Sequence, residues 1–248
     1  MSKDISAKIL KNLTRKDGLR EHYVRRAFSI LPGLNDPRIL DIGCGTGIST
    51  IELARLSGGQ IIAVDIDQSA LDELTERVKR LDLIDRVHPM NRSLFSLDFE
   101  DVQFDIIWSE GSIFIIGFER GLNAWRRLLK TDGFLVVHEM IWLQKDPPEE
   151  ILMYWEKRYP GITDSEKLVR LIRKCGYRLV GHFPLPEDAW WQEYYSPLEQ
   201  RIVELEKKHR DDPHASEALK GYKYEIELYK KYHRWYGSAF FVMQKGPT

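Results

Sequence analysis

Apolar positions in the first part of the chain come in short blocks, and each block stops at a glycine or a charged residue. Arg38-Ile39-Leu40-Asp41-Ile42 runs into Gly43, Ile61-Ile62-Ala63-Val64 ends at Asp65, Phe104-Asp105-Ile106-Ile107-Trp108-Ser109 ends at Glu110, and Phe134-Leu135-Val136-Val137 ends at His138-Glu139. Arg86-Val87-His88-Pro89-Met90 is a weaker block of similar length. Apolar runs of about four to eight residues between turn signals read as strands. The stretches between them have helical length: Ser49 to about Leu56, stopped by Gly58-Gly59, then Gln68 to about Leu81, and Gly117 to Trp125. Arg126, Arg127 and Lys130 are expected to end the last of these, at its negative pole. Strands alternating with helices predict an α/β domain.

The two ends follow the same logic. Ile5 to Leu31 reads as helical, broken near Asp17-Gly18, and its second piece puts Tyr23, Ala27, Ile30 and Leu31 on one side. Past Pro147-Pro148, one helix carries Ile151, Leu152, Tyr154 and Trp155, and Asp164-Ser165 caps another that reaches Lys174 and stops at Cys175-Gly176. Tyr177 to Phe183 and Ser238 to Gln244 read as two further strands. Between them, helices are expected from Leu198 to about Arg210 and from Ala215 to Arg234. In the second, Leu219, Tyr222, Ile226, Tyr229 and Tyr232 form a stripe that should pack against the domain. The chain is expected to be a single domain over 1–248, with an N-terminal helical lid over 1–35 and a helical cap insertion over 186–236.

Composition narrows the class. With 43% hydrophobic and 30% charged residues in 248, this is an ordinary chain able to bury a core. The formal charge of −1 and the lack of long basic runs argue against electrostatic capture of nucleic acid, so a small-molecule partner is expected. Met1-Ser2-Lys3-Asp4 starts no apolar signal segment, and no stretch reaches bilayer length, so no membrane partner is expected. Two cysteines, Cys44 and Cys175, suggest a reducing compartment, hence the cytoplasm. No cluster has metal-ligand spacing. A monomer or homodimer is expected.

Chemistry concentrates after the first strand. Gly43, Gly45 and Gly47 leave no Cβ inside the turn, so a ligand can approach the main chain itself. Asp65, about twenty residues on, stands at the tip of the neighbouring strand, where a carboxylate can accept both hydroxyls of a ribose. The dinucleotide fingerprint needs its third glycine one place later, where this chain has Ile48. An oxidoreductase using NAD(P) is therefore the weaker reading.

ILDIGCGTG followed by AVDID instead resembles motif I and its partner acid in the class I S-adenosylmethionine-dependent methyltransferases, and Ser-Glu-Gly at Ser109-Glu110-Gly111 with Gly117-Phe118-Glu119-Arg120-Gly121 resembles the small-molecule branch of that family. The resemblance covers about residues 36 to 140 well. It implies a Rossmann-like, doubly wound, seven-stranded sheet with strand 7 antiparallel, S-adenosylmethionine as cofactor, and methyl transfer to N, O, S or C. It also implies roles. Gly43, Cys44, Gly45 and Gly47 shape the loop at the methionine end, Asp41 contacts the amino group, Asp65 binds ribose and Ile66 lies against adenine. Gly18 and Tyr23 are candidate lid contacts. After the third strand the family's usual acid is missing, which leaves the Ser93-Leu94 segment and Phe95 as substitutes. Glu110 is a candidate for the methionine amino group or for a base, and His138 for a base. Trp190, Trp191, Tyr194 and Tyr195 are candidate walls of a substrate pocket. A non-catalytic protein that binds the same cofactor is the other alternative.

Overall fold

The computed structural model describes residues 18–209 and 212–247. The expected helix from Ile5 to the break near Gly18 lies outside them, as does Arg210. The chain continues from α1 (Leu19–Phe28) through β1 (Arg38–Ile42), α2 (Ile48–Ser57), β2 (Gln60–Asp65), α3 (Gln68–Arg80), β3 (Val87–Asn91) and β4 (Phe104–Glu110). Then come α4 (Ile113–Ile116), α5 (Phe118–Arg126), β5 (Leu129–Trp142), α6 (Glu149–Arg158), β6 (Thr163–Asp164), α7 (Ser165–Lys174) and β7 (Tyr177–Pro184). A single π-helical turn, Trp191–Tyr195, leads into α8 (Ser196–Lys208), α9 (Pro213–Tyr232) and β8 (Tyr236–Lys245).

The strands order as β3-β2-β1-β4-β5-β8-β7, parallel except for β8, which runs antiparallel to both neighbours. Successive side chains of a strand face opposite sides of the sheet, and here both sides are dry. Ile39, Ile61, Ile106, Trp108 and Val136 pack on one side against Tyr23, Val24 and Ala27 of α1, Ile51 of α2, and Leu74 and Val78 of α3. Leu40, Val64, Ile107, Leu135 and Val137 pack on the other against Ile113, Leu122, Trp125, Leu168 and Ile172. That two-sided burial is why the strand blocks are apolar almost without interruption. Each fully buried aliphatic side chain contributes about 1.5–3 kcal/mol.

The expected seven-stranded path with its last strand antiparallel is present, and β5 runs on to Trp142, where it takes up in addition the two-residue β6 in parallel register. Thr131-Asp132-Gly133 lies inside β5. It is an irregularity within β5, where Phe104 pairs with Leu129 and Ile106 with Phe134, with Asp132 at φ 58°. Lys130 does not close α5 but lies in β5, its Nζ 2.8 Å from Asp105 Oδ2.

Between β7 and β8 the two long helices form a third apolar cluster with α6 and the end of β5. Leu219, Ile226 and Tyr229 of the expected stripe are buried in it, and Tyr222 and Tyr232 pack at its edge. Side-chain bonds tie this insertion down: Trp190 Nε1 donates to Ser238 Oγ at 2.7 Å, and the Tyr229 hydroxyl donates to the Glu187 carbonyl at 2.7 Å.

Candidate active site

The strand order reverses between β1 and β4, and the crevice at the carboxyl ends of these strands is where ligands of open α/β sheets bind. β1 delivers the glycine loop there. A Cβ on Gly43 would collide with Ser112, whose hydroxyl donates to the Ile42 carbonyl at 2.8 Å, so the loop is pressed onto the turn that follows β4. Gly45 differs: at φ 53° it faces open space. Cys44 lies between them, and burial pushes its thiol well up, which leaves it a small turn residue rather than a nucleophile.

Two carboxylates flank the loop. Asp65 accepts from the Gly45 amide at 2.8 Å on one oxygen and from the Asp67 amide at 2.9 Å on the other. Asp41 is buried and accepts from the Thr50 hydroxyl at 2.6 Å. Burial pushes its carboxyl up to about 7, against the pull of that bond and with help from the negative charge of Glu110. Beside Asp65, Ile66 is 73% exposed, an aliphatic side chain held out on the crevice rim. The half-buried Ser93 bonds within its own turn, its hydroxyl accepting the Phe95 amide at 3.3 Å, and the Leu94 carbonyl accepts from Trp125 Nε1 at 3.4 Å. Asp98 pairs with Arg92 at 3.1 Å.

Glu110 and His138 are register partners on β4 and β5, so the sheet itself brings them together. Glu110 accepts from Trp108 Nε1 at 2.6 Å and pairs with Arg20 Nη2 of α1 at 2.9 Å. Burial works to raise its carboxyl, but Arg20 and the bonds from Ser49 and Trp108 outweigh it and hold it below the usual range. His138 is in the opposite situation. Both its ring nitrogens are buried without a hydrogen-bond partner, and burial, reinforced by Arg20, pushes it down to about 4. Its ring lies 4.8 Å from that of Phe240. The result is a carboxylate already saturated beside a neutral imidazole with free lone-pair capacity.

Arg20 escaped the sequence reading. It sits in a helix start crowded with charges, Arg20, Glu21, Arg25 and Arg26, and nothing local marks it out. Its Nη1 also approaches Glu193 Oε2 at 3.8 Å, so it links α1, the sheet and the insertion. The nearby lid candidates are placed differently: Gly18 caps α1, its amide donating to Glu21 at 3.1 Å, while Tyr23 is packed in the core.

A cavity of about 840 Å³ opens against Arg20, Gly111 and His138. Trp190 and Tyr194 line it, but Trp191 and Tyr195 do not: Trp191 faces a separate surface groove with Lys230 and His233, and Tyr195 is wholly buried, stacked 4.1 Å from Tyr229. Among the described residues no cluster could hold a metal ion, and no helix is long and apolar enough to cross a membrane.

Comparison with known proteins agrees with this geometry. The family model described as a methyltransferase domain matches residues 39–133. A demethylmenaquinone methyltransferase of Bacteroides fragilis is 27% identical over 148 residues, 59% of this chain and 60% of that protein. A sterol 24-C-methyltransferase of Yarrowia lipolytica is 24% identical over 186 residues, 72% of this chain and 48% of that protein. The chain spans about half the length of the curated relatives it matches. Among solved structures, a SAM-dependent methyltransferase of Geobacter sulfurreducens in complex with S-adenosyl-L-homocysteine superposes with a TM-score of 0.80 at 19% identity over 97% of each chain, a likeness of fold.

Proposed function

We propose that this chain is a class I S-adenosylmethionine-dependent methyltransferase, a reading supported by the methyltransferase domain matched over residues 39–133, and that it methylates a small-molecule nucleophile held in the cavity beside His138. The observation that carries the proposal is convergence: glycine loop, Asp65, the Glu110–Arg20 pair and the aromatic cavity all meet at the carboxyl ends of β1, β2, β4 and β5.

The residues fit the cofactor. Gly45 leaves open the space a Cβ would fill, and each Asp65 oxygen accepts one backbone amide among the described residues, which leaves lone pairs for ribose hydroxyls. Exposed Ile66 and Phe95 offer apolar surface to adenine, and Asp41 would meet the methionine ammonium. When bound, S-adenosylmethionine supplies a methyl group on a positively charged sulfur, already activated for in-line displacement. The protein's share is to align the acceptor, worth roughly 7–11 kcal/mol when geometry is well held, and to exclude water. We assign acceptance of the nucleophile's proton to His138, whose neutral imidazole has no competing donor, rather than to Glu110, whose oxygens already hold Arg20, Trp108 and Ser49.

Incubation with methyl-tritiated cofactor and a metabolite extract should yield a labelled small molecule. Cofactor binding without any labelled product would leave a binding protein instead. Two further results are expected by calorimetry with S-adenosylhomocysteine. Asp65→Ala should weaken binding by about 1–3 kcal/mol through loss of charge-assisted hydrogen bonds; unchanged affinity would remove Asp65 from the site. Because the ligand's ammonium favours an ionised Asp41, and that carboxyl titrates up to about 7 in the free protein, affinity should climb with pH and level off above that point. Below it the loss approaches about tenfold per pH unit. A flat profile would separate Asp41 from the ammonium.

A further inference from the structure

The cavity beside His138 is walled by rings, among them Phe114, Tyr154, Trp155, Trp190 and Tyr194, and Glu225 of α9 reaches it between them. The Tyr154 hydroxyl donates to Glu225 Oε2 at 2.8 Å and the Tyr194 hydroxyl also reaches the carboxylate, while the buried Tyr195 hydroxyl has no hydrogen-bond partner among the described residues. Among the described residues no lysine or arginine nitrogen comes within the 4.0 Å of an ion pair with it. Burial accordingly pushes its carboxyl up, with Arg158 acting on it only from beyond that distance.

The other charges at the cavity are engaged. Arg20 is held by Glu110 at 2.9 Å and Glu193 at 3.8 Å, Glu217 faces Lys220 at 3.4 Å, and the Arg158 guanidinium lies 3.9 Å over the Tyr154 ring. The imbalance is therefore specific: a sequestered carboxylate, framed by π faces, with no cation among the described residues in ion-pair contact and Arg158 as its more distant positive neighbour. A second group in the same cavity also lacks a partner, the buried imidazole of His138.

We infer that the methyl acceptor is an organic amine bound as its cation, with the ammonium seated between Glu225 and the surrounding rings and the nucleophilic end toward His138. The word acceptor rests on the methyltransferase reading above; cation binding stands without it. Aromatic faces and a carboxylate shielded from water both attract a cation. A neutral ligand leaves Glu225 desolvated and unmatched, and an anionic one adds like-charge repulsion to Glu225 that only Arg158, or breaking the Arg20 pairs, could offset. The volume of about 840 Å³ suits an amine bearing a ring or chain rather than ammonium itself.

The test is calorimetric titration of the full chain, with and without saturating S-adenosylhomocysteine, using phenethylamine, phenethyl alcohol and 3-phenylpropanoate. The amine should bind at least about tenfold tighter than the other two. Glu225→Gln should cut amine affinity about tenfold or more while alcohol and S-adenosylhomocysteine affinities stay within about twofold. Equal or better binding of alcohol or acid overturns the inference, as does no amine binding at millimolar concentration, or full amine affinity in a folded Glu225→Gln. The ranking on the unaltered protein decides the matter if that variant melts early. Failure to bind S-adenosylhomocysteine would instead sink the methyltransferase reading, and the amine titration without it remains readable.

Discussion

Replacing His138 by phenylalanine is expected to lower kcat about a hundredfold or more while leaving S-adenosylhomocysteine affinity unchanged. The substitution keeps a flat ring against Phe240, 4.8 Å away, and removes only the two nitrogens, neither of which bonds anything among the described residues. A structural role would thus be preserved and a proton-accepting role lost. The imidazole stays neutral down to about 4, so His138 should add no limb to the rate between pH 5 and 8; a rise there would report the acceptor's own ionisation. The folded value lies below the unfolded 6.5, so the unfolded chain binds the proton first, and stability falls as pH drops from 6.5 toward 4. The variant should lack that part of the acid loss. Single-turnover rates at the wild-type level would return His138 to the role of a packed ring.

Glu139→Gln is expected to stabilise the protein by about 2 kcal/mol at pH 7.5 and by almost nothing at pH 4.5. Glu139 follows His138 on β5 and faces the other way; its Oε1 accepts from the Tyr159 hydroxyl at 2.6 Å, and its Oε2 is buried without a partner. Burial pushes its carboxyl up to about 8 from 4.5. Folding must then take up a proton at any pH between those values, a cost that grows as pH rises from 4.5 and is complete above 8. Glutamine removes the proton uptake and keeps an acceptor for Tyr159. Urea unfolding at the two pH values reads the difference directly, and equal effects at both would mean that the carboxyl titrates normally. Glu110, at the end of the adjacent strand and as deeply buried, is held the opposite way because Arg20 pairs with it. Partners, not depth, decide between the two.

That contrast also marks how far the sequence could be read. The glycine loop and the acid at the end of β2 were legible because both are local: backbone torsions at Gly43, Gly45 and Gly47 and a strand of fixed length put Asp65 next to the loop in any chain with this pattern. α2 stopping at Gly58, α3 starting at the Asp67 cap and the unbroken apolar run of β8 are legible for the same reason. The pairing of Glu110 with His138 was half legible, since two parallel strands ending at one level bring their last side chains together.

The aromatic run was not. Of Trp190, Trp191, Tyr194 and Tyr195, the cavity takes the first and third, and the helical period cannot foretell this because a π-helical turn over Trp191–Tyr195 shifts the phase between the loop and α8. Arg20 and Glu225 lie far apart in sequence, and their meaning comes from what stands opposite: two acids for one, tyrosine hydroxyls and no cation in ion-pair contact among the described residues for the other. Backbone geometry is written in short stretches, so the amino-acid order alone determined the main strands, their switch point and the glycine loop. Charge balance and access to the cavity are sums over neighbours from separate helices, and only packing those helices together decided them.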